Sequence, residues 1–73
     1  YLQGITTTPT GDVLLVDNIS NKIIQLSGSG QFVREILTSQ DGINKPYGLY
    51  LNKHNSLFVC DENGLVKQFN LST

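Results

Sequence analysis

Short apolar runs, none longer than four residues, alternate along this chain with clusters of Gly, Pro, Asn, Asp and Ser. No window carries apolar residues at helical spacing over a helical length. The period-two alternation and the frequent turn residues predict strands instead. The expected strands are Gly4–Thr8, Val13–Val16, Ile23–Leu26, Phe32–Leu37, Gly48–Asn52, Ser56–Asp61 and Leu65–Asn70. The first is β-branched at Ile5, Thr6, Thr7 and Thr8, which suits a pleated backbone. Val13–Val16 is apolar on both faces, as in a strand covered from two sides. Phe32–Leu37 carries Arg34 and Glu35 on opposite faces, which suits an outer strand.

The pattern repeats. Asp12-Val13-Leu14-Leu15-Val16-Asp17 returns as Ser56-Leu57-Phe58-Val59-Cys60-Asp61. Gly4-Ile5 answers to Gly48-Leu49, Gly11 to Asn55, Asn21 to Gly64, and Gln25-Leu26 to Gln68-Phe69. Gly11 and Asn55 meet the same demand for a left-handed backbone in a short hairpin, so they serve as structural turn residues. Asp17 and Asp61 each follow an apolar strand and open a turn, where a carboxylate bonds backbone N–H groups further on. That role outweighs metal or acid–base work for either. Pro46 predicts an extended backbone at Lys45.

A unit of about 44 residues made of antiparallel strands falls in the range of β-propeller blades. The expectation is all-β: one complete four-stranded blade at about residues 3–38, and a second at about 47–71 that lacks its outer strand. The 73-residue chain is then a fragment of one domain, which agrees with its beginning at Tyr1 rather than Met.

Composition adds mostly exclusions. Net charge is −1, and Lys22, Arg34, Lys45, Lys53 and Lys67 are scattered. That is poor material for a nucleic-acid surface, which gathers its basic groups on one face. Cys60 is the only cysteine and His54 the only histidine, so neither an internal disulfide nor a zinc site follows from sequence. Lack of disulfides suits a reducing compartment, and a cytoplasmic location is expected. His54 reads as an exposed turn residue, and Cys60 as an inert thiol in an apolar strand. Gly28-Ser29-Gly30 joins strands and lacks the remaining parts of a phosphate loop. Asn18-Ile19-Ser20 and Asn70-Leu71-Ser72 match the glycosylation sequon, but with seven Asn and twelve Ser or Thr in the chain about one match arises by chance, so two decide little. No catalytic residue, cofactor site or metal site is expected.

Pro46-Tyr47-Gly48-Leu49, then Asn55-Ser56-Leu57-Phe58-Val59-Cys60-Asp61, then Val66-Lys67-Gln68-Phe69 resembles an NHL repeat. The first copy resembles it through Gly4-Ile5, Gly11 to Asp17, Asn21 to Leu26 and Gly30-Gln31-Phe32. The copies depart from the motif at Lys22, where the family has Arg, at Gly64, where it has Asn, and in the missing closing His. The resemblance is greatest to the C-terminal propellers of tripartite-motif proteins, the invertebrate mollusc type in particular. It implies a six-bladed propeller that recruits a protein partner to a ubiquitin ligase or scaffold, with the remaining blades and the zinc-binding modules elsewhere in the parent. Other readings are an RNA-binding NHL propeller, and an extracellular or enzymatic propeller with a channel metal.

In a strand meander the turns alternate between two ends. The loops 17–21, 38–46 and 61–64 are expected at one end, and 9–11, 27–30 and 53–55 at the other. Function concentrates on loops held by a rigid scaffold. The candidate partner-binding residues are Asn18, Ile19, Ser20, Asp41, Lys45, Tyr47, Glu62 and Asn63, weighed against ordinary solvated turn residues. Tyr47 and Tyr50 are expected to pack in the core beside Gly48 rather than stack on a ligand. Acidic Asp17, Asp41, Asp61 and Glu62 outnumber Lys22 and Lys45 at this end, which disfavours RNA. An isolated pair of blades would expose strand edges and apolar faces, and is expected to be marginal or to self-associate.

Overall fold

A computed structural model describes residues 4–71, so Gln3 at the expected edge of the first unit and Ser72 of the second sequon lie outside the described residues. Seven strands form: β1 (Ile5–Thr7), β2 (Val13–Asp17), β3 (Lys22–Leu26), β4 (Phe32–Leu37), β5 (Pro46–Leu51), β6 (Ser56–Asp61) and β7 (Val66–Asn70). They make two antiparallel sheets, ordered β1-β2-β3-β4 and β5-β6-β7. The fold is all-β, with two meanders in sequence order.

Four of the hairpin turns share one geometry. The N–H of the first turn residue donates to the carbonyl four residues on, and the N–H three residues on donates back. This holds for Thr8 with Asp12 and Gly11, for Ser27 with Gln31 and Gly30, for Asn52 with Ser56 and Asn55, and for Asp61 with Leu65 and Gly64. Each turn needs a left-handed residue at its fourth place. Gly11 has φ 90° and Asn55 has φ 62°, so the two copies use different residues for one backbone state. The first residue also caps its own turn. Thr8 Oγ1, Ser27 Oγ, Asn52 Oδ1 and Asp61 Oδ1 accept from the N–H of Asp12, Gln31, Ser56 and Leu65 respectively. The turn after β2 is one residue longer. There Asp17 Oδ1 accepts from Ile19 and Ser20, and Asn21 takes the left-handed state at φ 56°.

The sheets pack face to face. Leu14, Ile23 and Leu37 of the first sheet meet Leu49, Leu57 and Val59 of the second, with Ile43 from the connecting loop completing the core. β1 and β2 both lie against β5. This packing has a direction. By the repeat, Val13 corresponds to Leu57, Leu14 to Phe58, Leu15 to Val59, Ile5 to Leu49 and Ile23 to Val66. Strand register puts Leu14 and Ile23 on one face of the first sheet, and Val13, Leu15 and Ile5 on the other. The first sheet buries its Leu14/Ile23 face, and the second buries the opposite one, Leu49, Leu57 and Val59. The contact is therefore head to tail between equivalent units. The unused faces follow suit: Ile5 is 50% exposed where Leu49 is 2% exposed, and Val66 is 59% exposed where Ile23 is fully buried.

Three expectations are corrected. Val13–Val16 is not covered on both sides, because only Leu14 is fully buried and its neighbours are half-buried. Lys45 is not extended before Pro46. It adopts φ 48°, held by its N–H donating to Asn21 and its carbonyl accepting from Glu62. Tyr47 and Tyr50 are not core residues. Both are exposed, because Tyr50 shares the uncovered face with Phe58, its ring partner at 6.2 Å. The polar loop 38–46 also contains a 3-10 turn, Ser39–Asp41, that sequence did not reveal.

Candidate functional site

The loops 17–21, 38–46 and 61–64 are gathered at one end by hydrogen bonds to the backbone of Lys45. Asn21 Oδ1 accepts from the Lys45 N–H at 2.8 Å, and the Lys45 carbonyl accepts from the Glu62 N–H at 3.1 Å. The middle loop is fixed locally as well. Thr38 and Asp41 cap each other, with the Asp41 carboxylate accepting from the Thr38 N–H at 2.9 Å, and Lys67 Nζ donates to the Gly42 carbonyl at 2.6 Å. Buried Ile43 anchors the loop from beneath.

The candidate residues divide on this platform. Asn18, Ile19 and Ser20 form an exposed loop tip, and Ile19 is 91% exposed. Lys45 and Glu62 join the platform through their backbones and leave their side chains at the surface. Asn63 is exposed and donates its N–H to Asp61. Tyr47 stands half out of the surface next to buried Pro46. Asp41 differs from the rest because its carboxylate is committed to the local cap.

The basic groups near this end are largely engaged. Lys22 donates to Glu35 at 2.6 Å. That hydrogen bond, and then the attraction of the same carboxylate, raises the Lys22 pKa above its ordinary 10.5. With Lys67 on the Gly42 carbonyl, Lys45 is the cation at this end whose side chain has no acceptor among the described residues. Among the described residues no group of three His, Cys, Asp or Glu is placed to hold a metal ion, and no helix is long and apolar enough to cross a membrane.

At the opposite end a groove of about 220 Å³ opens between the sheets. Its floor includes Leu14, Ile36, Leu51 and Leu71, and its rim Thr8, Gln25, Arg34 and Asn55. Arg34 Nε donates to Gln25 Oε1 at 2.9 Å, and Gln25 Nε2 donates to Asp12 Oδ2 at 2.6 Å. Sequence reasoning missed this chain, which runs from the residue before β2 across β3 and β4. The signal was the shared parity of Gln25 and Arg34, which face each other across β3 and β4.

His54 lies in an exposed turn and donates its N–H to Asn52, as expected for a turn residue. Cys60 is a buried free thiol. Compared with family models, curated proteins and solved structures, the chain finds no match.

Proposed function

We propose that this chain is a two-blade segment of an NHL-like β-propeller, and that its loop end captures a protein partner for a tripartite-motif-like ligase or scaffold. The observation that carries the reading is the loop end itself. Hydrogen bonds through Asn21, Lys45 and Glu62 tie three loops into one surface, and that surface presents Ile19 and Tyr47. An exposed aliphatic tip and an exposed aromatic ring are the composition of a protein-binding anchor. The propeller part of the reading is supported by the head-to-tail packing of equivalent sheets. A heterologous contact of that kind continues unit by unit and closes into a ring when the rotation allows.

The charge pattern favours protein over RNA. Lys22 and Lys67 already have acceptors, and Asp17, Asp41, Asp61 and Glu62 crowd the same end. A channel metal has no support in the described residues. The parent is expected to carry paired Cys and His zinc ligands upstream, in keeping with a RING and B-boxes.

The test uses the parent propeller as bait with three variants. Ile19→Asp and Glu62→Lys alter the loop end, and Ser29→Asp alters the opposite end. The expected result is a specific cross-linked protein that disappears with the first two variants and stays with the third. Capture indifferent to the loop variants, or retention of single-stranded RNA in their place, overturns the reading.

A further inference from the structure

The two outer faces of this chain are complements, and each has the shape of a partner already seen inside the molecule. The first sheet leaves open the face that carries Ile5, Val13 and Leu15. In the second sheet the equivalent face, Leu49, Leu57 and Val59, is covered by Leu14 and Ile23. The second sheet leaves open Tyr50, Phe58 and Val66, which are the equivalents of Thr6, Leu14 and Ile23. An open tail and an open head therefore stand at opposite sides of one chain.

We infer that the 73-residue chain docks a second copy of itself head to tail, the Tyr50/Phe58/Val66 face of one copy against the Ile5/Val13/Leu15 face of the next. The argument is continuity with the interface between the two sheets. That interface joins the same two kinds of face, and the docking repeats it in trans. The contact is heterologous, so the assembly keeps one open face of each kind at its two ends, and growth proceeds to a closed ring or an open array. In a longer chain, further units in cis reach these faces first. The inference rests on the head-to-tail packing and not on partner capture, which uses the loop end.

The chemistry of the faces fits. Both are apolar and half-exposed, which a monomer avoids unless they are interaction surfaces. The tail face also carries the Lys22–Glu35 pair, which neutralises itself, and Asp17, whose carboxylate already accepts from the N–H groups of Ile19 and Ser20.

Sedimentation velocity of the chain and two variants tests this. Ile5→Glu blocks the tail and Val66→Glu the head; both sites are exposed, so neither change opens the core. The wild type is expected to gain mass with concentration, and each variant alone to remain a monomer. An equimolar mixture is expected to form a dimer and stop there, because each variant supplies the face the other lacks. A wild type that stays monomeric, variants that still associate, or a mixture that stays monomeric each overturns the inference. Far-ultraviolet circular dichroism checks that the variants retain their sheets. Val13→Lys and Tyr50→Lys replace them if either does not. Failure here leaves the loop-end reading standing, since none of these residues belongs to it.

Discussion

Asn21 and Lys45, far apart in sequence, are joined by a hydrogen bond of 2.8 Å from the Lys45 N–H to Asn21 Oδ1. Both residues are left-handed, at φ 56° and 48°. One side chain thus fixes the backbone of the loop that leads into the second sheet, and the strained state of Lys45 is held by contact rather than by its own preference.

Replacing Asn21 separates two contributions. Asn21→Gly keeps the left-handed backbone and removes the hydrogen bond, which should cost about 1 kcal/mol. Asn21→Ala removes both, and should cost about 2 kcal/mol or more, since an alanine in that region adds strain of about 1 kcal/mol. Urea unfolding at one low protein concentration gives the comparison. Equal losses in the two variants would show that the bond to Lys45 carries the effect and the backbone state of residue 21 does not.

The head-to-tail packing makes equivalent positions unequal. Leu14 is 1% exposed while its counterpart Phe58 is half-buried on the uncovered face. Leu14→Ala is expected to cost about 2–5 kcal/mol. Phe58→Ala should cost less than Leu14→Ala despite the larger ring, because part of that ring is already in water and its face is uncovered. The same urea series decides the order, and a reversed order would mean the sheets pack through other faces.

Much of this arrangement is legible in the chain, and the illegible part has a common cause. The strands follow from alternation, and the turns follow from residues that tolerate a left-handed backbone: Gly11, Asn21, Asn55 and Gly64 all have positive φ. The Asp17 and Asp61 caps are local, so sequence spacing suffices to find them. Lys45 was misread because its conformation is set by Asn21 and Glu62, which no local rule sees. Tyr50 was misread because parity tells which residues share a face but not which face is covered. The linked residues Asp12, Gln25 and Arg34 come from the turn before β2 and from β3 and β4, and their alignment depends on register. At the candidate site the loop grouping was legible from strand count, whereas the tie between the loops and the commitment of Asp41 to Thr38 were not.

The pair Lys22–Glu35 gives a pH dependence of definite sign. Glu35 raises the Lys22 pKa in the folded chain, chiefly through the hydrogen bond. A group with a raised folded value contributes stability that is fully present below its unfolded value and lost as pH rises through the folded one. Glu35→Gln is therefore expected to lower the unfolding midpoint slightly at neutral pH and not at all in strong alkali. The difference should also shrink in high salt, since both side chains are exposed. Midpoints of wild type and variant across that range make the measurement. A gap that widens in alkali would exclude the lysine as its source.

Asp61 offers the sharpest test of a turn. Its Oδ1 accepts from the N–H groups of both Asn63 and Leu65, at 2.9 and 3.0 Å, and the β6–β7 hairpin closes over that carboxylate. Asp61→Asn keeps an oxygen in place and should cost a fraction of the loss from Asp61→Ala, which leaves two donors to find water and is expected to cost about 1 kcal/mol. The hairpin also holds Glu62 and Asn63 in the candidate surface. Amide hydrogen exchange across Glu62–Val66 should therefore accelerate in Asp61→Ala, while the β1–β2 turn, built on Thr8 and Gly11, stays protected. Exchange that rises equally in both turns would point to global destabilisation, and the cap would then have no special hold on the loop end.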